Sequence, residues 1–465
     1  MSAEQNTLTE SFRHEMPPPL APRPLNLPEP VATTLSNGLT LVLIDDQRLP
    51  LINFRLAFRS GDANDPVELP GLSDMMSHLL TEGTANRTSR QIAEEIERLG
   101  ATLSVGSASD FTTVGASGLS VFSGEILELM ADVTLAATFP QNEIDLAREN
   151  TKQMLIQQRA QPNFLASERM ARVMFGDHPY ARVSPTPEML DALTREHLIS
   201  FRDSAFRPND AVLIVVGDFS HDYLSDQVEA LFADWKPTPR AETNFPVPPR
   251  RSERRIYLVD RPGSAQSNIV IANEGITRTS ADYFPMLLMH TVLGANASSR
   301  LFMNLREHKG YTYGAYSNLD ARRLAGTFRA TAEVRTAVTG VSLHEFFYEL
   351  ERIGSETVSD EEINNAKSYL TGVFPIRIET QEGLIDQLVS IKMLDLPDDF
   401  LNTYREKVNA VTAEDIQRVA QKYVRPDRAA LVIVGDAAEV IEQVKSYSES
   451  IEVVDTEGRK KPTGN

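Results

Sequence analysis

Apolar positions along the chain alternate between the two-residue period of strands and the wider spacing of helices. Residues 39–44 and 52–58 are short apolar runs that predict two adjacent strands. Residues 89–100 place apolar side chains on one face of a helix that ends at a glycine. Strand-like residues follow over 101–114. Strands in blocks, with several long helices against one face, predict an α+β sandwich rather than a doubly wound sheet.

Two segments about 218 residues apart resemble each other. Residues 207–218 and 425–436 each run from an Arg-Pro turn into an apolar strand and stop at Gly-Asp. A helix is predicted before each strand, where Thr194 and Thr412 would cap the first turn. Because both sets keep the same order and spacing, they indicate a duplicated domain rather than a short repeat.

The duplication divides the chain into five predicted parts. Residues 31–235 are the expected first domain and residues 251–453 the second, joined by a proline-rich, extended linker at 236–250. Residues 1–30 are predicted to be an extended or disordered proline-rich arm, and residues 454–465 a disordered tail. The expected fold class is α+β, with two duplicated domains, each an antiparallel-rich β-sheet packed with several α-helices.

Composition narrows the functional classes. The 465 residues carry a formal net charge of -19, which argues against a nucleic-acid partner, since phosphate binding needs clustered Lys and Arg. The chain has no cysteine, which excludes disulfides, thiolate metal sites and cysteine nucleophiles. No apolar run approaches the roughly 20 residues that span a membrane, and the N-terminus lacks a signal-like apolar stretch. We therefore expect a cytoplasmic protein without membrane contact.

Residues 71–84, which read Gly-Leu-Ser-Asp-Met-Met-Ser-His-Leu-Leu-Thr-Glu-Gly-Thr, resemble the signature helix of the pitrilysin/insulinase (inverzincin) metallopeptidases. That family includes the mitochondrial processing peptidases. The resemblance extends to residues 178–180, 298–302 and 305–313 and to both Gly-Asp strand ends, so it covers nearly the whole chain between the tails. In the family, H-x-x-E-H supplies two zinc-binding histidines and a general base, and a glutamate from a later helix completes the site.

The sequence departs from this zinc motif at most of its positions. Asp74 replaces the first histidine and Ser77 the catalytic glutamate, while His78 matches the second histidine. On the later helix Glu149 matches the first of two family glutamates, and Ile156 stands where the second would bind metal. An isoleucine cannot bind a metal, and a serine hydroxyl is a poor base at neutral pH. The resemblance implies that this chain binds no cofactor and that zinc belongs to a partner subunit.

The remaining polar side chains leave two interpretations open. Asp74, His78 and Glu149 are acceptable ligands for zinc or manganese and could form an improvised metal site. Alternatively, Asp74 and His78 form a hydrogen-bonded pair one helical turn apart, lining a vestigial cleft.

The second domain keeps a different part of the family pattern. Family members carry an Arg and a Tyr seven residues apart that reach a zinc site and hold the peptide carbonyl and its developing oxyanion. Arg306 and Tyr313 have this spacing, and the resemblance assigns them that role. The alternative is that Arg306 forms an ion pair at a helix end and Tyr313 packs against its neighbours.

These observations support one function and leave two alternatives. Smaller family members work as two-chain assemblies of four similar domains around a chamber, and some pair a zinc-bearing chain with one that lacks the motif. The chain is therefore expected to be the non-catalytic subunit of a heteromeric zinc endopeptidase, inactive alone, with a homologous zinc-bearing partner and a peptide substrate that could add to the strand edge at residues 101–106. The alternatives are a peptide-binding or scaffold protein without proteolytic role, and an atypical self-sufficient metallopeptidase.

Overall fold

The computed structural model describes residue 25 and residues 27–239 and 243–461, which form two α+β halves with a six-stranded sheet in each. The strands of the first half are β1 Val31–Thr34, β2 Thr40–Asp45, β3 Leu51–Phe58, β4 Thr102–Ser107, β5 Thr112–Leu119 and β6 Ala211–Gly217. Its helices are α1 Leu72–Leu79, α2 Ser89–Leu99, α3 Ser123–Leu135, α4 Gln141–Arg159, α5 Pro162–Phe175, α6 Pro187–Ala192, α7 Arg195–Ala205 and α8 His221–Phe232.

The second half has a matching set of elements. Its strands are β7 Arg255–Asp260, β8 Gln266–Glu274, β9 Thr312–Ala321, β10 Gly326–Arg335, β11 Ala430–Gly435 and β12 Ile451–Val454. Its helices are α9 Tyr283–Gly294, α10 Arg300–Phe302, α11 Thr339–Ser355, α12 Asp360–Arg377, α13 Gln381–Met393, α14 Phe400–Ala410, α15 Ala413–Tyr423 and α16 Ala437–Val444.

The two sheets share one strand order, which confirms the duplicated α+β fold. The first sheet runs β1-β2-β6-β3-β5-β4 and the second β12-β7-β11-β8-β10-β9. In each, the strand that ends in Gly-Asp pairs in parallel with one neighbour and antiparallel with the other. The outer strands differ, because β1 precedes β2 and is antiparallel to it, whereas β12 comes last and is parallel to β7.

The two apolar runs expected to be adjacent strands, β2 and β3, are not neighbours. β6 lies between them, so that Val42 pairs with Ile214 on one side and Phe54 with Val215 on the other. The expectation of adjacency was wrong because a parallel pairing joins strands that are far apart in the chain, which sequence proximity does not report.

Helix starts and stops follow the predicted local signals. The side-chain oxygen of Thr194 accepts the N–H of His197 at 3.3 Å, and that of Thr412 accepts the N–H of Asp415 at 3.2 Å. Gly100 ends α2 in the left-handed region, with φ 57°, which a glycine adopts without steric cost. These boundaries depend on neighbouring residues alone, which is why the sequence predicted them.

Each sheet is covered on its second face by a helix from the other half. α5 of the first half packs on β8 and β11, and α13 of the second half packs on β3 and β6. The apolar cluster under α5 joins Met170, Met174 and Phe175 to Val270 and Val432 of the second sheet. The sequence predicted helices against one face of each sheet only, whereas the exchange places a helix on the second face as well. Cover on both faces explains why β6 and β11 are buried at every position.

Segments outside the two sheets differ partly from the expectation. The described residues of the predicted linker, 236–239 and 243–250, contain neither helix nor strand. Most of the predicted N-terminal arm, residues 1–24 and 26, lies outside the described residues, as do residues 462–465. None of the helices in the described part of the chain is both long and apolar enough to cross a membrane.

The predicted disordered tail is ordered over residues 455–461, which fold back on β12. The N–H of Asp455 donates to the carbonyl of Arg459, and the N–H of Lys461 donates to the carbonyl of Val453, both at 2.9 Å. The Lys461 ammonium also binds the Asp260 carboxylate at 2.7 Å. The expectation of disorder was wrong for this stretch, because its polar residues find partners on the sheet that composition does not reveal.

Truncating Met170 tests the exchange of helices. Its side chain is fully buried between α5 and the second sheet, so Met170→Ala should lower the free energy of unfolding by about 2–5 kcal/mol. The matched control is Met154→Ala on neighbouring α4, where the side chain is 44% exposed and the change should stay within about 0.5 kcal/mol. Urea unfolding followed by circular dichroism measures both; equal effects of the two substitutions would contradict the packing of α5.

Candidate functional site

α1 carries the residues compared above with a zinc motif, and it lies against the edge of the first sheet. It contacts β4, the last strand of that sheet, and also α4 and α7. The Asp65 carboxylate accepts the N–H of Gly71 at 2.7 Å and that of Ser73 at 3.0 Å, which caps the start of α1. Gly71 reaches this position with φ 90°, in the left-handed region. The cap therefore fixes α1 beside β4, the edge strand of the first sheet in the described part of the chain.

Asp74 and His78 lie on the exposed side of α1, whereas Ser77 is buried. Partial burial raises the pKa of Asp74, and the nearby charge of His78 opposes this rise. Within the described residues, no hydrogen bond joins the two side chains, although they are one helical turn apart. The Ser77 hydroxyl is buried and has no hydrogen-bond partner within the described residues. Ser77 is thus not presented to the surface that Asp74 and His78 share.

Glu149 and Ile156 lie on α4, which packs beside α1. The Glu149 carboxylate accepts from the Lys152 ammonium at 3.0 Å, and that ammonium also donates to Asp191 at 2.6 Å. Ile156 is 65% exposed. Within the described residues, no three His, Asp or Glu side chains converge where a metal ion could be held. The side chains at these positions in the described part of the chain therefore do not fit a catalytic zinc ion.

Arg306 and Tyr313 are brought together at the start of β9. Arg306 lies in a π-helical turn, Met303–His308, that continues α10, and Tyr313 is the second residue of β9. The guanidinium carbon stands 5.3 Å from the centroid of the Tyr313 ring. Tyr313 is 84% exposed, which does not agree with a mere packing role. Isolated π-helical turns are uncommon and are frequent at functional sites.

Within the described residues, the Arg306 guanidinium is not held in a strong ion pair at a helix end. Its acidic contact there is with the adjacent Glu307 at 3.8 Å, and the two side chains are 40% and 51% exposed. A pair of this kind contributes little to stability, because water screens it and both side chains lose freedom. The guanidinium is therefore available to bind another group.

The opposite end of β9 meets the first half through a polar cluster that the sequence did not reveal. We call it the clasp, and it consists of Asp62, Ser109, Asp110, Tyr180 and Arg322. Arg322 donates to the Ser109 hydroxyl at 3.0 Å and lies 4.8 Å from the centroid of the Tyr180 ring. Asp110 accepts the Tyr180 hydroxyl. The motif at residues 178–180 hinted at Tyr180, but nothing in the sequence marked Arg322.

The clasp lies near the start of α1 and at the opposite end of β9 from Tyr313. Asp62 lies within electrostatic reach of both Asp74 and Arg322, so the start of α1 is near the far end of β9. From Tyr313 to Arg322 the chain runs along β9, a span of roughly 30 Å at about 3.4 Å per residue. Asp74 therefore lies close to one end of β9, and Arg306 and Tyr313 lie at the other end.

The chain is a duplicated α+β protein, and comparison with known families identifies both halves. The family model described as "Insulinase (Peptidase family M16)" matches residues 41–187. The model described as "Peptidase M16 inactive domain" matches residues 192–370. The chain therefore belongs to peptidase family M16.

Curated relatives are similar over most of their length. A Bacillus subtilis protein named uncharacterized zinc protease YmxG is 22% identical over 404 residues, which cover 86% of this chain and 97% of that protein. An uncharacterized zinc protease of Streptomyces coelicolor is 24% identical over 409 residues, covering 87% of this chain and 89% of that protein.

Solved structures share the fold. The crystal structure of a peptidase M16 inactive domain from Pseudomonas fluorescens superposes with a TM-score of 0.80 at 24% identity and covers 88% of this chain and 98% of that one. The structure of a protease from Helicobacter pylori also has a TM-score of 0.80, at 19% identity, covering 88% of this chain and all of that one. At this identity the likeness establishes the architecture and not the chemistry.

The clasp predicts a specific pH dependence. Burial and the charge of Asp74 raise the pKa of Asp62 to about 6 from the ordinary 3.8, against the pull of Arg322 and the Ser109 hydroxyl. The folded protein then binds the proton more readily than the unfolded chain, so stability falls as pH rises from about 4 to about 6. The Asp62→Asn variant has no carboxyl group to ionise at this position, so it avoids this loss. The free energy of unfolding of the variant minus that of wild type should therefore increase from about pH 4 to about pH 6 and stay constant above that.

Urea unfolding at intervals from pH 4 to pH 8 measures this difference. The exposed Asp234→Asn is the matched control, for which the difference from wild type should not change over the same window. A pH-independent difference between Asp62→Asn and wild type would contradict the burial of Asp62 in the clasp.

Proposed function

We propose that this chain is the non-catalytic subunit of a heteromeric zinc endopeptidase. In this proposal Arg306 and Tyr313 complete the site of a homologous partner that holds the zinc ion, and the two halves form part of the wall around the peptide. The observation that carries the proposal is the placement of the pair. Tyr313 is exposed and Arg306 partly exposed, and about 30 Å of β9 separates the pair from the clasp, which lies near the start of α1 of the same chain.

The chemistry of the pair suits peptide hydrolysis in the partner's site. The Arg306 guanidinium offers several fixed donors for a peptide carbonyl, and its position over the Tyr313 ring restricts where it can point. The Tyr313 phenol can donate to the oxygen on which negative charge develops. The partner's zinc ion would supply the activated water. Neither side chain of this chain needs to bind the metal.

The α1 region of this chain supports the same division of roles. Asp74 and His78 are exposed but lack a third converging ligand, and Glu149 is bound to Lys152. Ser77 is buried, and Ile156 cannot bind a metal ion. The chain therefore has the residues to bind a peptide but lacks a metal-activated nucleophile, so we expect it to be inactive alone.

The edge strand β4 is a suitable place for an extended peptide. Thr102, Ser104 and Gly106 alternate as exposed residues along it, and their small side chains leave the strand accessible. A peptide could pair with this edge as an additional strand, with main-chain hydrogen bonds providing affinity. The same feature favours the second candidate function, a peptide-binding or scaffold protein without proteolytic role. The two candidates differ in whether Arg306 and Tyr313 affect turnover.

Substitution of the pair tests the proposed function. The chain is mixed with a family member that carries an intact H-x-x-E-H motif, from the same genome, and cleavage of a fluorogenic peptide is measured. Tyr313→Phe and Arg306→Ala should each lower kcat by about 100-fold, because each removes a donor to the developing charge. Tyr316→Phe, on the same strand and 43% exposed, is the matched control and should leave kcat unchanged.

Full activity of the mixture with both Arg306→Ala and Tyr313→Phe would overturn the role of the pair. If the two chains form a complex that cleaves no peptide, the binding or scaffold function is favoured instead.

Metal analysis tests the third function considered above. The purified chain should contain well under one zinc ion per molecule by elemental analysis, since its side chains do not converge on a metal position. It should also cleave no peptide without the partner. Stoichiometric zinc together with cleavage by the chain alone would establish a self-sufficient peptidase.

A further inference from the structure

A pocket of about 530 Å³ opens on the second half, between the connection that follows β8 and the start of α14. Its wall is largely apolar and includes Phe284, Leu396 and Phe400. The N–H of Arg278, in its wall, donates to the carbonyl of Arg322 at 2.9 Å. The pocket therefore lies at the clasp end of β9, far from Arg306 and Tyr313.

Arg278 is the distinctive residue of this pocket. Its guanidinium carbon stands 3.7 Å from the centroid of the Tyr283 ring and 4.7 Å from that of Phe400. Among the described residues, its side chain makes no ion pair and no hydrogen bond. Burial lowers the pKa of Arg278, and the groups that oppose this effect are the phenols of Tyr283 and Tyr404 rather than a carboxylate. A half-buried guanidinium is thus left without an anion.

Other partly buried or buried arginines of the second half have acceptors for their guanidinium groups. Arg300 binds both carboxylate oxygens of Glu362, at 2.6 and 3.0 Å. Arg254 donates to the carbonyls of Pro426 and Tyr447, and Arg329 donates to the Thr327 hydroxyl. Burying a cation is costly unless an anion or several acceptors compensate for the lost water. Unlike these arginines, Arg278 has neither a carboxylate nor another acceptor among the described residues, so a bound anion would compensate for its burial.

The acids that line the pocket are engaged elsewhere. Asp395 binds Arg59 at 2.7 Å, and Asp415 binds Arg418 at 3.3 Å while it also caps the start of α15. Lys407 adds a second positive charge 6.0 Å from the centroid of the Phe284 ring. The pocket therefore combines two cations with an aromatic and aliphatic wall.

We propose that this pocket binds the carboxylate of a hydrophobic molecule. The carboxylate would pair with the Arg278 guanidinium, which matches its planar geometry, and the apolar body would lie on Phe284, Leu396 and Phe400. A small aromatic or aliphatic acid and the C-terminal residue of a peptide present the same chemistry. The inference does not rest on the proposed function, since no catalytic partner is needed for binding.

Isothermal titration calorimetry on the full chain tests the proposal with N-acetyl-phenylalanine and its amide as probes. The acid should bind at least about tenfold more tightly than the amide, because the amide lacks the charge that Arg278 recognises. A pentapeptide ending in phenylalanine, with a free or an amidated C-terminus, distinguishes the sources. Binding of the free pentapeptide identifies a peptide end as an acceptable ligand, and binding of the small acid alone identifies a small molecule.

Variants assign the effect to Arg278. Arg278→Met keeps an unbranched apolar stem and should abolish the preference for acid over amide, and Arg278→Lys should weaken acid binding by about tenfold. Arg90→Met on α2, 87% exposed and in the other half, is the matched control and should retain the preference. Equal affinity of wild type for acid and amide, or no binding of either, overturns the proposal whether or not the variants fold.

Discussion

Burial of both faces of two central strands is the constraint on which the rest of the structure depends. β6 and β11 are apolar and enclosed along their whole length, but the helices of one half cover only one face of its sheet. The second face is closed by exchange, with α5 on the second sheet and α13 on the first. Because apolar strands left open on one face would be unstable in water, neither half is complete without the other.

The exchange sets where the candidate functional residues lie. It brings the hairpin turns of the two sheets together at the clasp, which places the start of α1 near one end of β9. Arg306 and Tyr313 are at the other end of that strand, exposed and close to each other. This geometry is the basis for the proposed role of the pair in a second chain's site.

Arginine has three different environments in this fold. Arg322, in the clasp, pairs with Asp320 of its own half and donates to the Ser109 hydroxyl of the other half, so it joins the two halves. Arg306 is partly exposed and weakly paired, which suits its proposed contact with a substrate. Arg278 is half-buried without an acid, which suits a residue that meets a ligand anion. The difference lies in the partner that the tertiary structure supplies and not in the residue type.

The sequence by itself determined features that depend on near neighbours or on a repeated pattern. Caps such as Thr194 and Thr412, the duplication of the domain and the spacing of Arg306 and Tyr313 could all be read from it. It could not place β6 between β2 and β3, assign α5 to the far sheet or identify Arg322. These features are contacts between residues far apart in the chain, and only the packing of both halves decides which of them form.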